Sequence, residues 1–149
     1  MKGFDLESLR YRPGYCDMLG GVHSTALEKN KSGEWTIICR ESNDHMSPII
    51  VTTYEVAPEA VAEFEEFLLK NKVVQLEKRP KSDMFVTDYS PWSWRIYYSK
   101  TSFGKTTGKS AEISEYRKYS KEDHELLNEL QKRLFALRGR KISEISEED

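Results

Sequence analysis

The 149 residues carry 23 lysines and arginines against 25 aspartates and glutamates, a net charge of −2, and a mean hydropathy of −0.70. Signs mixed so evenly make no field that would hold a polyanion, so no nucleic-acid partner is expected. A hydrophobic fraction of 38 %, with seventeen aromatics, excludes wholesale disorder, and the length suits one domain with a real core.

No apolar run approaches the roughly 18 residues of a membrane span. The opening MKGFDLESLRYRPGYC holds acids and no continuous apolar core, so neither an export signal nor a membrane partner is expected. Cys16 and Cys39, without such a signal, read as reduced thiols of a cytoplasmic protein and not as a disulfide.

In chain order, residues 1–20 read as irregular, with Leu6, Leu9 and Tyr11 available for packing and a turn at Pro13-Gly14. A short strand, Val22 to Leu27, and a return strand, Glu34 to Arg40, flank the turn residues Asn30 to Gly33. The loop Glu41 to Pro48 then leads into the strongest local signal, Ile49 to Asn71. There a β-branched and aromatic strand meets Pro58, which suits the first position of a helix. Val61, Phe64 and Leu68, widened by Phe67, form the apolar stripe of that helix, and Glu59, Glu63, Glu65 and Glu66 are expected on its solvent faces.

Further strands are expected at Met84 to Tyr89, at Trp92 to Tyr98 and from about Ala111 to Lys118, with Ser99 to Ser110 a long flexible hairpin connection. Ser120 as N-cap with Asp123 three residues on opens a second helix. Its stripe is Leu127, Leu130, Leu134 and Leu137, and Gly139 stops it. The acidic remainder, residues 140–149, reads as a mobile tail. The fold class expected is α+β: one two-layer domain over residues 1–139 in βββα-βββα order, a mainly antiparallel sheet of about six strands with two helices on one face. The W-x-I strands at Trp35/Ile37 and Trp94/Ile96 echo one another between the halves.

Motifs of known chemistry are scarce. GKTTGKS, Gly104 to Ser110, has Phe103 where a phosphate-cradling loop needs glycine, and a strand-like AEISEY follows it instead of a helix. It reads as a solvated turn. Cys16, His23, Cys39 and His45 are spaced seven, sixteen and six apart, unlike the short knuckles of structural zinc, so no metal or other cofactor is expected. Cys16 with His23 or His45 and Asp17 or Asp44 are types from which a nucleophile, base and orienter are built, but nothing flanking Cys16 marks it as activated.

Seven aromatics crowd between Phe85 and Phe103, and on one strand Trp94, Ile96 and Tyr98 alternate with Ser93, Arg95 and Tyr97. Sheet faces bearing exposed Trp and Tyr bind peptides, sugars or unstacked bases, and Arg95 is the cation placed to join such a surface. Packing beneath the neighbouring loop is the competing use of those rings. KRPK at Lys78 and RGRK at Arg138 are too short to carry nucleic-acid binding in so acidic a chain.

The lead-in GYCDMLGGVHSTALEKNKSGEWTI resembles a family of small bacterial proteins with no assigned activity, in which a Gly-x-x-x-Met-x-Gly-Gly run opens a β-hairpin. Gly14, Met18, Gly20 and Gly21 carry the likeness, which extends by pattern over the first two-thirds of the chain. The resemblance implies a bacterial cytoplasmic origin and transfers no catalytic residue.

The resulting expectation is a non-catalytic, immunity- or adaptor-like interaction protein with a protein partner. Its binding surface is expected at Trp92, Trp94, Arg95, Tyr97, Tyr98 and Phe103. The competing expectation is a small ligand-binding protein or enzyme with a pocket between sheet and helices, using Cys16, His23 or His45.

Overall fold

The computed structural model describes residues 3–16, 22–42, 46–82 and 89–147. Its framework is a seven-stranded sheet built from β1 (Phe4–Arg12), β3 (Val22–Lys29), β4 (Trp35–Ser42), β5 (Ile49–Glu55), β7 (Ser93–Ser102), β8 (Lys105–Ser114) and β9 (Lys141–Glu147). The spatial order is β8-β7-β1-β3-β4-β5-β9, and every neighbouring pair is antiparallel. A separate two-residue ladder joins β2 (Tyr15–Cys16) to β6 (Tyr89–Ser90). Helices α1 (Pro58–Lys70) and α2 (Lys121–Ala136), with a 3₁₀ turn at Val73–Lys78, complete an α+β fold.

Both helices seal the same sheet face. Leu9, Leu27, Ile37 and Ile96 lie in one cross-strand row, and Tyr11, Trp94, Ile113 and Cys39 in the next. All are buried in one cluster with Val61, Phe64 and Leu68 of α1 and Leu127, Leu130 and Leu134 of α2. Full burial of each such aliphatic side chain contributes about 1.5–3 kcal/mol. Pro58 occupies the start of α1 behind an extended Ala57, and α2 opens with the expected capping box between Ser120 and Asp123. Among the described residues, no helix is long and apolar enough to cross a membrane.

Four features differ from the sequence expectation. Residues Phe4–Arg12 are not irregular but an interior strand, next to β3 in the middle of the sheet. Apolar parity in β1 switches from Phe4 and Leu6 to Leu9 and Tyr11 because a bulge lies between Leu6 and Ser8, which breaks the alternation that marks a strand. The acidic end is likewise no tail over Lys141–Glu147: it pairs with β5 as an edge strand. Gly139 makes this possible, since its N–H donates to the Glu55 carbonyl at 2.8 Å and a Cβ there would lie 2.7 Å from that same oxygen.

Third, Ser99 to Ser110 is a regular ribbon: β7 and β8 pair from Ser93↔Ser114 out to Ser102↔Lys105. Phe103 and Gly104 close it in two residues at φ of 53° and 76°, the two positive values of a type I′ turn. Fourth, Glu65 is buried, not solvent-facing, and its carboxylate accepts the Leu6 N–H at 2.7 Å beside the bulge. These changes replace about six strands and the βββα-βββα order by seven strands with β1 and β9 added at the chain ends. The strand expected at Met84 to Tyr89 lies outside the described residues except for Tyr89, in β6.

Candidate binding face of the sheet

With both helices on one face, side chains of the opposite parity project from a face that no helix among the described residues covers. On β1, β7 and β8 the register makes three rows of them: Ser8–Tyr97–Ser110, Arg10–Arg95–Glu112 and Arg12–Ser93–Ser114. Toward the sheet centre the Arg10 row continues through Ala26 and Ile38. Local sequence dictates this placement, because Leu9-Arg10-Tyr11-Arg12 alternates apolar and cationic residues once past the bulge.

Directly opposed like charges destabilise a strand pair. Arg10 and Arg95 are such a pair, and only Arg95 is neutralised, by an ion pair with Glu112. A hydrogen bond with the Tyr97 hydroxyl, followed by the Glu112 carboxylate, holds the Arg95 guanidinium above its ordinary pKa. Arg10 and Arg12 have no carboxylate partner among the described residues. Around these groups lies a cavity of about 460 Å³, walled by the three arginines, Tyr97, Glu112 and Tyr116. A smaller cleft of about 90 Å³ adjoins it between Ser8, Ala26 and Glu28.

The six residues expected to bind are dispersed. Arg95 and Tyr97 stand on the open face, with Tyr97 40 % exposed. Trp94 is 2 % exposed and stacks on Tyr11 with ring centroids 4.2 Å apart, so it belongs to the core. Tyr98, also on the core side, stacks on Phe4 at 4.9 Å, and Trp92 packs on Tyr119 at 5.7 Å. Phe103 is fully exposed at the ribbon tip, with five ladder pairs between it and Tyr97↔Ser110. Alternation along β7 foretold the split between Trp94 and Arg95. Arg10 and Arg12 went unseen because β1 itself did.

Of the residues in the competing expectation, Cys16, His23 and His45, only His23 has its side chain among those described. Cys39, a thiol outside that set, is buried with its sulfur within 3.8 Å of the Thr25 hydroxyl, and burial pushes its pKa up. His23 sits across from Glu41 in the ladder. The Cys16 side chain, Asp17, Asp44 and His45 lie outside the described residues, as do Met18, Gly20 and Gly21. A cleft of about 480 Å³ does lie where α1 meets β1, but its ionisable groups are Asp5, Glu7, Lys29 and Glu65, none of them from that set. Among the described residues, no three His, Cys, Asp or Glu side chains are grouped to hold a metal ion.

Comparison with protein-family models, with curated proteins and with solved structures gives no match for this chain.

Proposed function

We propose that this chain is a non-catalytic, cytoplasmic binding protein whose helix-free sheet face receives an acidic segment of a protein partner. The observation that carries the reading is the opposition of Arg10 and Arg95 beside an Arg12 that has no carboxylate partner among the described residues. A fold gains nothing from two arginines set directly opposite one another on neighbouring strands, whereas an incoming carboxylate bridging them turns repulsion into two charge-assisted hydrogen bonds. Half-exposed Tyr97 and Tyr116 flank the arginines and supply the rigid amphipathic contact area common in protein interfaces. An immunity- or adaptor-like role suits a scaffold of this kind.

The test is fluorescence anisotropy with a labelled Glu/Asp-rich peptide at low salt. Binding that disappears in Arg10→Glu and weakens as salt rises supports the reading. A peptide that binds Arg10→Glu as well as the parent, or binds neither, refutes it.

A further inference from the structure

We infer that the arginine cavity is built for a phosphate monoester, the dianion –OPO₃²⁻ carried by whatever docks on the open face; the inference rests on that face being the binding surface. The charged groups lining the cavity among the described residues are Arg10, Arg12, Arg95 and Glu112. Three guanidiniums against one carboxylate leave two positive charges, which a dianion matches and a single carboxylate does not.

Geometry gives the same answer. Residues i and i+2 on a strand are about 6.8 Å apart, and directly opposed residues on antiparallel strands about 4.5–5.5 Å. Arg10 is related to Arg12 in the first way and to Arg95 in the second, so the three side chains leave the backbone within one phosphate's reach of each other. Glu112 holds the Arg95 guanidinium in place, while Arg10 and Arg12 have no carboxylate partner among the described residues to occupy their donors. A planar fork of N–H groups pairs with two oxygens of a phosphate at once.

Neutral donors complete the lining. Ser93 and Ser114 occupy the Arg12 row, and Tyr116 closes the wall, so hydroxyls stand ready for phosphate oxygens that the arginines leave free. The cavity's 460 Å³ exceeds what the phosphate itself needs and leaves room for the group that carries it. Glu28, the other acid near the arginines, lines only the smaller cleft beyond Ala26. It favours entry of the anion from the Arg12 side.

Two sources carry this chemistry: a phosphorylated side chain of a protein partner and a free phosphorylated small molecule. The experiment compares one acidic, tyrosine-containing peptide in its phosphorylated and unphosphorylated forms, with phenyl phosphate as competitor. At pH 7.5 the phosphorylated form is expected to bind at least tenfold more tightly. That advantage should shrink below about pH 6, where a phosphate monoester takes up its second proton. Arg10→Gln and Arg12→Gln should each remove most of it, with circular dichroism and thermal midpoints confirming that both variants fold. Displacement by phenyl phosphate at the phosphopeptide's own affinity identifies a free small molecule as the source, and displacement only at far higher concentration identifies a phosphoprotein; either outcome supports the inference, whereas no displacement at any concentration overturns it. Equal binding of the two peptides overturns the phosphate inference and leaves the acidic-partner reading intact. Binding of neither peptide overturns both.

Discussion

Arg10 of β1 stands directly across from Arg95 of β7 on the helix-free face, with Glu112 of β8 paired to Arg95 alone. The arrangement stores a local conflict that the rest of the fold outweighs. Replacing Arg10 by Gln is therefore expected to raise stability by about 0.2–1 kcal/mol, the magnitude of a cross-strand pair term. The same change should weaken binding of an acidic peptide. Urea denaturation checks the first half, and a loss of stability would mean that Arg10 serves the fold.

Trp94 and Tyr97 are three residues apart and on opposite faces, and their truncations should separate cleanly. Trp94→Ala empties a core position and should cost about 3–5 kcal/mol. Tyr97→Ala is expected to change stability by no more than about 0.5 kcal/mol, as surface substitutions do, while weakening ligand binding. Chemical denaturation of the two variants decides it; a large destabilisation by Tyr97→Ala would show that the open face is covered.

How much of this was legible beforehand follows from which residues keep their period. The stripes Val61–Phe64–Leu68 and Leu127–Leu130–Leu134 keep the helical period, and Pro58 and Ser120 mark where the two helices begin. β1 was hidden by one extra residue: the bulge at Leu6/Ser8 moves its apolar residues from one parity to the other. β9 was hidden because Ile142 and Ile145 are three apart in an acidic stretch, a spacing no half-buried strand advertises. Buried Glu65 was unreadable for a related reason, since the N–H it accepts belongs to Leu6, 59 residues away at that bulge. Arg10 and Arg12 were lost with β1, and half of the candidate site with them.

Asp123 ties α2 to the segment after the 3₁₀ turn. Its carboxylate accepts from Arg79 Nε at 2.9 Å and caps its own helix through the Ser120 N–H at 3.1 Å. The Arg79 guanidinium first, then the Ser120 bonds, hold its pKa down to about 2 against burial. A carboxylate depressed in the folded state stabilises it above the unfolded value of about 3.9 and loses that contribution as pH falls toward the folded value. Asp123→Ala should thus cost about 1–3 kcal/mol at neutral pH, with the gap from the parent narrowing between about pH 4 and 2. Urea midpoints across that range are the check, and a pH-independent gap would assign the loss to packing.

Gly139 approaches Glu55 so closely that an added Cβ would overlap the Glu55 carbonyl oxygen at 2.7 Å. Gly139→Ala is expected to cost about 1–3 kcal/mol, as overpacking does. It should also free the β9 edge, seen as faster amide exchange in β9 with β1 and β3 unchanged. Uniform exchange in parent and variant would show that β9 pairs with β5 without help from this close approach.

Amide chemical-shift mapping during titration with an acidic peptide reads directly which face of the sheet binds. The expected result is a contiguous set of perturbed amides in Ser8–Arg12, Ser93–Tyr97 and Glu112–Ser114, with α1 and α2 silent. Perturbations centred on the helices, or on the ribbon tip around Phe103, would contradict it.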